Sequence, residues 1–168
     1  MPRLVAVRAD DRLVPAIQSC LEGALDYFLE TEGHPPSPDL ASELVADAEA
    51  DDSRKVFALL PRTIGPGNSS TLGTKDSSVL GVLDLHLNYP EPGVAHVGLL
   101  LFPEPWRGRG YGRETTAALE RALAHEGFHE LRLSVVEENA GARIFWERLG
   151  FAEVGRLDRG VSVLAKPL

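Results

Sequence analysis

The chain has 168 residues, 25 acidic against 17 basic side chains, a formal net charge of −8, and 43% hydrophobic residues. That length fits a single domain, residues 1–168, with one sizeable core, and the acidity argues against a general nucleic-acid binder, whose footprint is basic. Cys20 is the lone cysteine, which excludes an internal disulfide and a cysteine-based zinc site.

In chain order, Leu4 to Arg8 reads as a first strand. Asp10 or Asp11 then offers an N-cap for one helix that carries Leu13, Ile17, Leu21, Leu25 and Phe28 along a stripe and stops near Gly33. Ser37-Pro38-Asp39 starts a second helix, with proline at the first helical position and Leu40, Leu44, Val45 and Ala48 as its apolar face. Lys55 to Leu60 and Val79 to Leu87 are strands, joined by the glycine- and serine-rich stretch Pro61 to Ser78, which reads as a long loop. Asn88 to Gly93 is a turn into the strand Val94 to Phe102. The helix pattern from Glu114 to Glu126 places Ala118, Leu119, Ala122 and Leu123 inward and ends at Gly127. A strand at Leu131 to Val136, a helix at Ala140 to Leu149 capped by Asn139, and strands at Phe151 to Arg156 and Val161 to Lys166 complete the chain. The order predicts an α/β fold, a mixed α+β sheet with about four helices packed on it.

Arg107-Gly108-Arg109-Gly110-Tyr111-Gly112 lies between a strand and a helix. A helix start leaves its first N–H groups unpaired and carries partial positive charge, and glycines let a phosphate oxygen reach them. Arginines in the turn add charge-assisted hydrogen bonds. No lysine follows in the P-loop pattern, and the glycines are spaced two and two rather than as a dinucleotide fingerprint. A plain surface turn or an arginine–glycine RNA tract are the alternatives for this segment.

Arg107-x-x-Gly110-x-Gly112 resembles the Arg/Gln-x-x-Gly-x-Gly/Ala signature of the GNAT superfamily of N-acetyltransferases. Asn139-x-x-Ala142-x-x-Phe145-Trp146-x-x-x-Gly150-Phe151 is similar to that family's second block. The resemblance implies a central, mostly antiparallel sheet splayed between strands 4 and 5, with acetyl-CoA as acetyl donor. It implies pyrophosphate on the N–H groups of Arg107, Gly108, Arg109, Gly110, Tyr111, Gly112 and Arg113. The pantetheine arm would lie against backbone groups near Leu99, Leu100 and Leu101, with Asn139 hydrogen-bonding it and Phe145 and Trp146 lining its path. Asn139 is also a helix cap in its own right, and Phe145 is equally a core residue. Many relatives carry a tyrosine after the Phe of the second block, thought to protonate the departing thiolate; this chain has Trp146, whose indole N–H is no acid at neutral pH.

Amine acetylation needs a base. Strand alternation puts Asp84 and His86 on one face, and an antiparallel turn at residues 88–93 brings His96 opposite His86, so these three are the candidates. An ordinary half-exposed sheet face is the alternative. Glu137 and Glu138 are secondary candidates, with a solvated lead-in to the helix as their alternative, and His34, in the connection from Glu30 to Pro38, is a residue that could face the acceptor or be a solvated loop histidine. The expected partner is a small-molecule or peptide amine, with no nucleic acid, no membrane and no metal, and the protein is a monomer or homodimer. The N-terminal stretch Met1 to Val5 lacks a leader-like pattern, so a cytoplasmic location is the expectation. A non-catalytic acyl-CoA sensor is the competing reading, favoured by Trp146.

Overall fold

A computed structural model describes residues 3–62, 78–158 and 160–168. Most of the expected Pro61–Ser78 loop, and Arg159 in the last turn, lie outside the described residues. The strands are β1 (Leu4–Arg8), β2 (Arg54–Pro61), β3 (Gly81–Leu87), β4 (Val94–Leu101), β5 (Glu130–Val136), β6 (Ala152–Leu157) and β7 (Val161–Pro167). The helices are α1 (Val14–Glu22), α2 (Leu25–Thr31), α3 (Leu40–Ala50), α4 (Tyr111–His125) and α5 (Ala140–Arg148). These strands form one seven-stranded sheet in the order β1-β2-β3-β4-β5-β7-β6. Among the described residues every pairing is antiparallel except β4 with β5, which the intervening α4 makes parallel.

Alternation along the strands builds a core on each face of the sheet. Val56, Ala58 and Val82 pack against Ile17, Leu21, Phe28, Leu44 and Val45 of α1, α2 and α3. Leu83, Leu85, Leu131, Leu133 and Leu164 pack against Leu123 of α4, Trp146 of α5 and Phe151.

Three expectations are corrected. The single first helix is broken in two at Gly23. Glycine is a poor helix former, and Gly23 ends α1 as its C-cap, its N–H donating to the Ser19 carbonyl at 3.0 Å. Asp10 does cap, but it caps a 3-10 turn at Asp11–Leu13 that precedes α1. Of the expected inward face of α4, Leu119 and Leu123 pack on the core, but Ala118 and Ala122 are exposed and Thr115 and Thr116 are buried instead. α4 begins at Tyr111, earlier than the apolar pattern indicates, and Thr116 can be buried because its hydroxyl donates to the Gly112 carbonyl at 2.9 Å.

Candidate active site

The parallel β4–β5 pairing runs from Val94↔Glu130 to Val97↔Leu133 and stops there, although β4 continues to Leu101 and β5 to Val136. Beyond Val97 the strands diverge, and backbone groups on facing edges are left without the ladder that would satisfy them. The cleft of about 70 Å³ between them is lined by Gly98, Leu99 and Leu100 of β4 and Ser134 and Val135 of β5. Tyr27 of α2 closes it on one side, and Asn139, Ala142 and Trp146 on the other.

A bulge in β4 marks where the splay begins. Asp84 pairs with Leu99 and Leu85 with Val97, so Gly98 has no partner on β3. The bulge turns Leu99 and Leu101 toward the α1–α3 side and Leu100 toward the α4–α5 side. Gly98 must be glycine, because a Cβ would lie 2.9 Å from Asp84 Oδ2 and 3.0 Å from His86 Nε2.

Past β4, a 3-10 turn at Glu104–Trp106 leads into the glycine turn. Gly108 and Gly110 sit at φ 70° and 82°, in the left-handed region, and Gly110 is the N-cap of α4. Among the described residues no side chain caps α4, in contrast to α5, where Asn139 accepts from the Ala142 N–H at 2.9 Å. The first N–H groups of α4 therefore point outward over two glycines whose Cβ positions meet only open space or the tip of Arg3. Arg3, just before β1, braces the turn: its Nη1 donates to the Arg109 carbonyl at 2.9 Å, and its Nε to Glu114 at 3.0 Å.

Each of the two arginines of the turn makes its own contact within the fold. Arg107 donates through Nε to the Phe102 carbonyl at 2.6 Å and pairs its guanidinium with Asp26 at the start of α2. The arginine nearest the front of the motif thus ties the glycine turn to α2. Arg109 lies 5.1 Å over the ring of Trp106. Phe145 packs beneath Gly112, where an added Cβ would sit 3.0 Å from Cζ, and lines a neighbouring groove of about 310 Å³ rather than the cleft itself. Arg113 and Arg148 stand at the rim of that groove with Ile144, which is half exposed.

Asp84, His86 and His96 do meet on the α1–α3 face, with His86 directly opposite His96. Asp84 is 4% exposed and is held by Arg54 in a two-point contact at 3.0 and 2.8 Å. His86 Nε2 lies 3.5 Å from Asp84 Oδ2. His96 Nε2 lies 3.4 Å from the Ser134 hydroxyl at the base of the splay, and Tyr89 sets its ring edge-on to His96 at 5.6 Å. Burial pushes the His96 imidazole below its ordinary range, and the neighbouring His86 and Arg132 push the same way. The remaining candidates are elsewhere: Glu137 pairs with Arg156, and His34 is exposed with Nδ1 against the Pro35 carbonyl. Cys20 is buried, which pushes its thiol up to about 12 and leaves it inert.

Sequence reading missed Arg54, Asp26 and Tyr27. Arg54 had a signal, a charge in phase with the inward residues Val56 and Ala58. Asp26 and Tyr27 had none, because helix periodicity assigns them only to a flank.

Residues 25–151 match the Acetyltransferase (GNAT) family. An uncharacterized N-acetyltransferase of Bacillus subtilis, YycN, is 32% identical over 108 residues, 60% of this chain and 67% of that protein. An acetyltransferase from Thermus thermophilus superposes with a TM-score of 0.80 at 26% identity, covering 99% of this chain and 97% of the other. Spermidine N-acetyltransferase from Vibrio cholerae, solved with CoA and spermine, superposes with a TM-score of 0.71 at 20% identity, covering 98% of this chain and 95% of the other. The chain belongs to the GNAT acetyltransferase family.

Proposed function

We propose that this protein transfers an acetyl group from acetyl-CoA to a primary amine of a small molecule or peptide, with both substrates held in one complex. The observation that carries the reading is the end of β4–β5 pairing at Val97↔Leu133, beside the free N–H groups at the start of α4. A thioester bound there supplies an activated acetyl carbon. The uncapped amides of residues 110–112 suit a pyrophosphate, and the unpaired edge of Leu99 to Leu101 suits a pantetheine amide chain and offers N–H donors for a thioester carbonyl. The groove with Arg113, Arg148 and the exposed Ile144 suits the nucleotide end, an apolar surface for the base and guanidinium groups for its 3′-phosphate.

Of the three base candidates, His96 is placed best. Its depressed proton affinity keeps it neutral at pH 7, and Ser134 beside it stands at the opening of the splay. His96 takes the proton of the incoming ammonium, directly or through water. Asp84 is tied to Arg54, so its part is to hold the strand and His86 in place.

The test is thiol release from acetyl-CoA across a panel of amines, alongside calorimetric titration of acetyl-CoA alone. Turnover with at least one amine supports the enzyme reading. Tight binding with no thiol release for any amine replaces it with a non-catalytic acyl-CoA sensor, the reading that Trp146 favours.

A further inference from the structure

We infer that Tyr27 is the proton donor to the departing thiolate. The inference rests on the acetyl-transfer reading above and names a residue for a step that reading leaves unassigned. Transfer forms the bond between nitrogen and the acetyl carbon and breaks the carbon–sulfur bond. The amine proton goes to the base, the electron pair leaves on sulfur, and a proton must reach that sulfur for coenzyme A to depart as a neutral thiol.

Among the described residues, the side chains around the splay offer few donors. Val97, Leu99, Leu100, Leu133, Val135 and Ala142 have none. The Asn139 carboxamide and the Trp146 indole do not give up a proton near neutrality, and the Ser134 hydroxyl is a far weaker acid than a thiol. Tyr27 is the one described lining residue whose acidity, near 10 for a free phenol, approaches that of a thiol near 8.5. It lies across the cleft from Trp146, on α2, where its partly buried ring packs edge-to-face on Phe28 at 5.2 Å.

Two features keep this phenol in place and protonated. The Arg107–Asp26 pair joins the residue immediately before Tyr27 to the glycine turn, so the turn that suits the pyrophosphate also positions the donor. Burial raises the Tyr27 phenol above its ordinary value; Glu32 acts in the same direction, and the Thr31 hydroxyl opposes them. The strand residues that face it from β4 and β5 carry no titratable group. After each turnover the phenolate regains its proton from solvent or from the base.

The test compares the wild type with Tyr27→Phe, which keeps the ring. Calorimetry measures the affinity of coenzyme A and of desulfo-coenzyme A, which lacks the thiol, between pH 7 and 9. A phenol that donates to sulfur makes the wild type favour coenzyme A over the desulfo form increasingly as the thiolate grows in. In Tyr27→Phe that preference falls by about 10-fold or more at pH 9, the worth of a hydrogen bond to a charged partner, while desulfo-coenzyme A binds unchanged. With an active amine, kcat falls by about 100-fold or more. Equal weakening of both ligands indicates a packing role and overturns the inference, as does an unchanged preference. Failure of both ligands to bind the wild type overturns the acetyl-CoA reading instead.

Discussion

Gly110→Val separates the strain of a left-handed turn from its role in binding. At φ 82° a β-branched residue costs about 1–3 kcal/mol. Among the described residues, the only neighbour of the new Cβ is Arg3 Nη2 at 3.2 Å, the far end of a half-exposed side chain that can shift. For a domain of this size the penalty lowers Tm by about 2–12 °C, well inside a total stability of about 5–15 kcal/mol, so the variant folds. The isopropyl group, however, stands over the uncapped start of α4. Losing one charge-assisted N–H contact to phosphate removes about 1.5–3 kcal/mol, which weakens acetyl-CoA binding by about 10- to 100-fold. Gly127→Val is the matched control, with φ 87°, no described atom within 4 Å of the added Cβ, and a place at the opposite end of α4. Thermal melts should show comparable losses for the two variants, and calorimetry should show weakened acetyl-CoA binding for Gly110→Val alone. Equal affinities in the two variants would refute the assignment of this turn to the pyrophosphate.

Asp84→Asn leaves Arg54 with the exposed Asp47 as its remaining carboxylate partner, so urea unfolding should show a loss of about 1.5–3 kcal/mol, more than for the exposed Arg156–Glu137 pair. His96 has a folded-state proton affinity below its unfolded value. Its contribution to stability is therefore complete above the unfolded value of 6.5 and is lost as pH falls through 6.5 toward the lower folded value. Relative to His96→Gln, the wild type should lose stability on acidification through that window, and kcat/KM should fall along an acid limb placed below pH 6.5; a limb above 6.5 removes His96 as the base. Replacing Arg113 and Arg148 together by alanine should weaken acetyl-CoA about 10-fold or more while leaving its dephospho form unaffected. Equal effects on both forms would show that the groove does not read the 3′-phosphate.

Much of the site was written in local patterns. The two-and-two glycine spacing located the turn, because φ near 70–82° at Gly108 and Gly110 is a demand that only glycine meets easily. Alternation placed Asp84, His86 and His96 on a common face, because a short turn leaves an antiparallel register little freedom. The break of the first helix at Gly23 was not legible in the stripe from Leu13 to Phe28, since one glycine is tolerated inside a helical pattern. Other features depend on elements far apart in the chain, and Arg107 did not reveal its partner, which sits 81 positions away on α2.

The sequence by itself determined the order of elements, the glycine-led start of α4 and the Asn139 cap, since each is a choice made within a few residues by backbone sterics and local hydrogen bonding. Tertiary structure decided the rest. It ended the β4–β5 ladder at Val97↔Leu133, used the bulge at Gly98 to make room for Asp84 and His86, and set α2 beside the opening so that Tyr27 lines the cleft with Trp146. Those outcomes depend on which surfaces pack together, and a cleft exists only where two strands that could have paired are held apart by what is packed on either side.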